Sequence, residues 1–146
     1  MRFMTSALCV LAFAAVGPFA MAATPDHVRY AWPVIGIKDG DTLTVNLPGL
    51  PVPLNPVAVR LRSVDTPESG GRAKCAGERT LAERATRFTR QAIAAARRIE
   101  FEQPSWDKYG GRIDADVWVD GKLLSDRLIA AGLARQYDGG KRRGWC

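Results

Sequence analysis

Val57-Ala58-Val59-Arg60-Leu61-Arg62-Ser63-Val64-Asp65-Thr66-Pro67-Glu68 is the stretch that decides the fold. Successive side chains of an extended chain point to opposite faces. Val57, Val59 and Leu61 therefore share one side, and Arg60 and Arg62 the other. Residues 57–64 are predicted as a strand with an apolar face for a core and a basic face for an anionic partner. Pro67 ends it, because proline has no amide hydrogen to give a ladder.

Working upstream, residues 34–38 are predicted as a strand and Asp39-Gly40 as a tight hairpin turn. Leu43, Val45 and Leu47 then alternate with Thr42, Thr44 and Asn46 as a second strand, which places Asp41 at the mouth of the hairpin. Pro48-Gly49 and the prolines at 51, 53 and 56 make the loop before the basic strand. Downstream, Ser69-Gly70-Gly71 opens a polar loop that carries Arg72 and Lys74. Over residues 78–96 the apolar positions Leu81, Ala82, Ala85, Phe88, Ala92, Ala95 and Ala96 recur at spacings of three and four, which predicts an amphipathic helix. Residues 99–102 and 113–119 are predicted as strands, the second with Ile113, Ala115, Val117 and Val119 inward. Residues 123–131 are predicted as a short helix with Gly132 as its cap. The expected class is α+β, mainly β: five short strands forming a small barrel, with one long and one short α-helix.

Chemistry concentrates in three segments. Asp39-Gly40-Asp41-Thr42 and Asp65-Thr66-Pro67-Glu68 supply carboxylates, and Asp107-Lys108-Tyr109-Gly110-Gly111-Arg112 supplies cations and an aromatic ring. Hard oxygen donors suit calcium or magnesium, and Asp41 and Asp65 are the candidates, provided the fold pairs their strand ends. Pro67 fixes the backbone before Glu68, so its carboxylate is placed either to handle a water or to pair with Arg72. Guanidinium groups suit phosphate oxygens through paired donors, which singles out Arg60 and Arg112.

These three segments, in this order and with this spacing, resemble the staphylococcal nuclease (thermonuclease) family, over residues 34–137. The resemblance implies an OB-fold, a five-stranded Greek-key barrel used for binding oligonucleotides. It implies a calcium ion (Ca2+) held by Asp41, Asp65 and the backbone carbonyl of Thr66, with Asp39 behind them. It assigns water activation to Glu68, phosphate charge to Arg60 and Arg112, and nucleotide contacts to Lys108 and Tyr109. It also implies cleavage of DNA and RNA at the bond to the 5′ oxygen. The chain departs from the family pattern at Gly111, which adds a residue between Tyr109-Gly110 and Arg112. A glycine there can form a bulge that re-aims Arg112; without one, Arg112 points away and pairs with Asp114 or Asp116. Arg62 either widens the basic face or pairs with an acid. Tyr137 and Trp118 are open between base contacts and packing, and Lys141-Arg142-Arg143 is expected to be a solvated chain end unless it meets backbone phosphates.

The first residues read as an export leader: Arg2, an apolar run over residues 7–16, then Ala20-Met21-Ala22 before a cleavage point. The run is shorter than the roughly 20 residues of a membrane span. The expected division is a signal peptide at 1–22, a mobile lead-in at 23–33 and one domain at 34–146, exported to periplasm or medium, monomeric and without stable membrane association. Loss of the leader removes Arg2 and Cys9 and leaves a net charge of +5. A basic balance suits a polyanionic partner. Cys75 and Cys146 remain, an even number in an oxidising compartment, and are expected to form a disulfide.

The expected function is a secreted calcium-dependent nuclease acting on DNA and RNA. Its rivals are an inactive OB module that binds nucleic acid or another polyanion, and an envelope protein whose polyanion is not nucleic acid.

Overall fold

The computed structural model describes residues 28–146. The expected leader and the start of the expected lead-in lie outside the described residues. Among the described residues nine strands and two α-helices follow one another: β1 Arg29–Tyr30, β2 Val34–Ile37, β3 Thr42–Val45, β4 Val57–Leu61, β5 Val64–Asp65, α1 Ala76–Ala94, β6 Ile99–Trp106, β7 Arg112–Val119, β8 Lys122–Leu123, α2 Leu124–Ala130 and β9 Arg135–Gln136. The chain is mainly β, with the long and short helix that the apolar spacing predicts.

The main sheet runs β1-β6-β7-β4-β3-β2, with β8 on β7, and β5 pairs with β9 in a separate small sheet. β4 and β7 are parallel, Ala58 opposite Arg112 and Leu61 opposite Ala115, and the other ladders of this sheet are antiparallel. Parallel neighbours need a long crossover; here α1 and the β6–β7 hairpin supply it. The five longest strands, β2, β3, β4, β6 and β7, therefore take the Greek-key order of an OB-fold.

The predicted alternation holds where it matters. In β4, Val57, Val59 and Leu61 are buried, as are Ile113, Ala115, Val117 and Val119 in β7. Leu43 and Val45 of β3, Phe101 of β6 and Leu124 and Leu128 of α2 complete the core against Ala85 and Ala92 of α1. Each large side chain so buried contributes about 1.5–3 kcal/mol. Gly132 caps α2 with a positive φ of 67°, and the Leu133 amide donates back to the Leu128 carbonyl.

Several expectations are corrected. Residues 29–33 are not a loose lead-in: Arg29 and Tyr30 pair with Glu102 and Phe101, and Arg29 reaches Glu102 at 3.2 Å and stacks over Trp118 at 4.0 Å. Because β1 sits on β6 and β2 on β3, one short stretch of chain serves both ends of the sheet. That bridging is a tertiary event that the prolines at 25 and 33 conceal. The basic strand is shorter than expected, because Ser63, at φ 59°, turns the chain and hands Val64–Asp65 to β9. β9 itself was not foreseen, two residues being too few for a pattern. α1 starts earlier than 78, where the Cys75 sulfur accepts from the Glu78 amide, and it ends at Ala94, leaving Ala95 exposed. β6 extends past residue 102 through a bulge at Gln103, whose φ is 49°.

Candidate active site

The Asp39-Gly40-Asp41 turn is wedged between α1 and β4. The Asp41 carbonyl accepts from the Leu61 amide at 2.8 Å, and the Gly40 carbonyl accepts from the Thr89 hydroxyl of α1 at 2.7 Å. A Cβ on Gly40 would lie 2.7 Å from the Ala85 Cβ, so only glycine lets the turn come this close to the helix. Asp41 is thereby buried and aimed: its Oδ1 accepts from the Thr42 hydroxyl at 3.0 Å. Asp39 lies beside it, its Oδ1 accepting from the Asp41 amide at 3.3 Å. Burial, and then the charge of Asp41, push the Asp39 carboxyl above its usual range.

The second group of acids comes from β5 and the loop after it. Asp65 and Thr66 are buried. The loop is fastened by Glu78 of α1, whose carboxylate accepts from the Glu68 amide at 3.3 Å and the Lys74 amide at 2.7 Å. Glu78 thus fixes where Glu68 starts, a task with no sequence signature, since it depends on α1 facing the loop. Arg60 projects from the polar face of β4, with Nη2 3.7 Å from Asp41 Oδ2 and 3.4 Å from the Val64 carbonyl. Asp39, Asp41, Arg60, Thr66 and Glu68 meet around a cavity of about 140 Å³, with Arg72, Arg112 and Arg142 also on its wall. Arg72 ion-pairs with Glu68 at 2.8 Å and lies 3.7 Å from Asp39.

Arg112 opens β7 and borders both this cavity and a neighbouring groove of about 600 Å³. The extra glycine does not form a bulge in β7. Gly110 and Gly111, at φ 72° and 80°, absorb the added residue within the β6–β7 turn, closed by the Asp107 amide donating to the Arg112 carbonyl at 3.1 Å. The displaced Arg112 pairs with Asp107 at 2.7 Å, and not with Asp114 or Asp116. The groove also carries Lys108, Tyr109 and Tyr137, together with Trp106, whose ring is exposed. Lys108 lies 4.7 Å from the Tyr109 ring, and Tyr109 is 80% exposed. Trp106 was missed because its strand was expected to end at residue 102.

Among the described residues Arg62 pairs with no acid: its guanidinium donates to the Gln103 carbonyl, to Ser105 Oγ and to the Asp114 carbonyl, so it clamps the β6 bulge. Trp118 packs under Arg29 and donates to Glu102 at 2.9 Å.

The Cys75–Cys146 disulfide is formed, across 71 residues. It draws the chain end onto the site. Trp145 Nε1 donates to Asp65 Oδ2 at 3.2 Å, and Arg142 lies 3.2 Å from Asp65 Oδ1 and 2.6 Å from Glu68 Oε1. The expected solvated end is thus corrected: Arg142 is in the cavity wall. The signal that would have found it is Cys146 itself, whose partner at 75 stands next to the acidic loop.

The donors fit a hard cation. Asp65 Oδ1 is buried and accepts no hydrogen bond, facing only the charge of Arg142. Among the described residues no three His, Cys, Asp or Glu side chains stand close enough to hold a metal by themselves. An ion at Asp41 and Asp65 would therefore draw its remaining oxygens from the backbone, water or a phosphate, as calcium and magnesium commonly do.

Residues 58–143 match the family model described as staphylococcal nuclease homologue. The chain is 30% identical over 120 residues to a thermonuclease of Staphylococcus hyicus, covering 82% of this chain and 66% of that protein. It is 34% identical over 99 residues to the SPbeta prophage-derived endonuclease YokF of Bacillus subtilis (strain 168), covering 66% of this chain and 31% of that protein. The chain therefore spans under two thirds of the length of these relatives.

Proposed function

Because this chain belongs to the staphylococcal nuclease homologue family, we propose that it is a nuclease that hydrolyses phosphodiester bonds of DNA and RNA with calcium as cofactor and little sequence preference. The observation that carries this is the meeting of Asp41, Glu68 and Arg60 around one cavity, beside a groove lined by Lys108 and Tyr109. Nothing in the β-sheet itself requires acids and guanidiniums to converge there.

Asp41, Asp65 and the Thr66 carbonyl would hold calcium, with Asp39 supporting Asp41. When bound, the ion supplies Lewis-acid polarisation of a phosphate oxygen. Glu68 accepts a hydrogen bond from, or a proton of, the water that attacks phosphorus. The water oxygen bonds phosphorus as the phosphorus–O5′ bond breaks opposite it, and the 5′ oxygen takes a proton from solvent while the proton held by Glu68 returns to solvent. Arg60 stabilises charge on the phosphate oxygens, and Arg112 approaches from the groove side, where substrate competes with Asp107 for it. Tyr109 offers a stacking face and Lys108 a charge to the flanking nucleotide. Export through the leader and action as a monomer in periplasm or medium complete the proposal.

The test is cleavage of single-stranded DNA by the purified protein, with calcium and with excess chelator, against Glu68→Gln. Chelation is expected to stop cleavage, and Glu68→Gln to lower kcat by about 100- to 10,000-fold. Nucleic acid bound without turnover under any divalent cation would replace this proposal with that of an inactive binding module.

A further inference from the structure

Arg142 stands in the carboxylate cavity, yet nothing in the proposed reaction uses it. It borders both the cavity and the nucleotide groove. Its position is built by several ties at once. The Tyr137 hydroxyl donates to the Gly140 carbonyl at 2.8 Å, and Arg135 donates to the Gly144 carbonyl at 2.9 Å. Arg135 also stacks on Trp145 at 3.8 Å, Trp145 donates to Asp65, and Cys146 is bonded to Cys75. A solvated chain end needs none of these.

The guanidinium so placed is partly exposed, at 38% of its side chain, and meets two acids, Asp65 at 3.2 Å and Glu68 at 2.6 Å, with the Tyr137 ring 5.6 Å away. Arg112, in contrast, rests on Asp107 at the groove side, one residue later in the turn than the family pattern puts it.

We propose that Arg142 is a phosphate-contacting catalytic residue, carried into the active site by the disulfide-tied tail, and that with Arg60 it grips the phosphate under attack. The inference rests on the nuclease proposal above. In the free protein Asp65 and Glu68 are its partners. An incoming phosphodiester offers the same paired anionic oxygens and takes the guanidinium over, which leaves Glu68 Oε1 for the water and Asp65 Oδ1 for a cation, while Arg72 and Trp145 keep their hold on the other oxygen of each acid. One exchange of partners thus couples substrate binding to release of the carboxylates.

The first measurement needs no metal: binding of a fluorescein-labelled oligothymidine to the disulfide-intact protein, in chelator, across a range of salt. Arg142→Ala is expected to weaken binding and to reduce the slope of log affinity against log salt by about 0.7, the loss of one phosphate contact on a single strand. Arg142→Lys is expected to restore the slope. Cys146→Ser, which keeps Arg142 but frees the tail, is expected to lose it as Arg142→Ala does.

With calcium present, Arg142→Ala is expected to lower kcat by about 100-fold, and Arg142→Lys to recover little of that rate, because an ammonium lacks the forked donors. Near-ultraviolet circular dichroism checks that each variant keeps the native packing. An unchanged salt slope in Arg142→Ala would overturn the contact. Cleavage as fast as wild type or faster would overturn the catalytic role and make Arg142 a mere plug of the carboxylates. A wild-type slope in Cys146→Ser would overturn delivery by the disulfide. If wild type fails to cleave whichever divalent cation is supplied, the nuclease proposal fails and Arg142 loses its catalytic role with it, while the salt slope still decides whether it touches phosphate.

Discussion

Arg112 shows how much one residue of spacing changes a side chain's surroundings. The extra glycine lies in a turn at positive φ, so it costs little conformationally, and the arginine that follows opens β7 with Asp107 as its partner. Arg112→Ala is expected to lower kcat on single-stranded DNA by about 100-fold; full activity would remove this arginine from the mechanism and leave Arg60 and Arg142 to carry the charge. A second residue-scale consequence concerns Asp116 on the polar face of β7. Burial raises its carboxyl above the ordinary value of 3.8; Arg62 lowers it, and Glu102 and Asp126 raise it further. The folded chain therefore binds this proton more tightly than the unfolded chain, so the stability contribution of Asp116 falls as pH rises from about 3.8 through the raised value. Asp116→Asn is expected to raise Tm at pH 7, and the gain should vanish on acidification below the ordinary carboxylate range. Thermal melts of both proteins from pH 3 to pH 8 would show it, and equal Tm values at pH 7 would refute it.

The elements act as jigs for the acids. α1 holds the Asp-Gly-Asp turn through Thr89 and Ala85, and it holds the Glu68 loop through Glu78. One helix thus sets the separation of the two acidic segments, although neither segment lies on it. Gly40→Ala is expected to force the turn and α1 apart, costing about 1–3 kcal/mol as an overpacked contact does, and to weaken calcium binding because Asp41 moves with the turn. Urea unfolding and calorimetric titration with calcium measure the two effects separately. Stability lost with calcium affinity intact would show that Asp41 does not depend on this packing. Bulge and clamp act similarly on β6: Arg62 ties the Gln103 carbonyl and Ser105 to β7, and so orients the strand that ends at Trp106.

At the scale of the molecule, the disulfide joins the start of α1 to the tail over Asp65. A cross-link closing so long a loop restricts the unfolded chain. Its reduction is expected to cost about 2–4 kcal/mol in urea denaturation, and equal midpoints with and without reductant would refute that. Among the described residues no helix is long and apolar enough to cross a membrane, and the ties that hold this fold are the barrel core and this cross-link. Much of this was legible in the chain itself. Alternation in residues 57–61 and 113–119 and the three-and-four spacing before residue 94 are local properties, because the faces of strands and helices follow directly from backbone geometry. That Asp41 and Glu68 come to one cavity was legible through motif and spacing, and the disulfide through the count of cysteines. Only the tertiary structure decided the rest: that Arg29 and Tyr30 join the sheet, that Arg112 rests on Asp107, that Glu78 anchors the Glu68 loop, and that Arg142 enters the cavity. Each of these depends on which distant segments meet, and that is fixed by packing and chain connection, not by the local pattern of any one stretch.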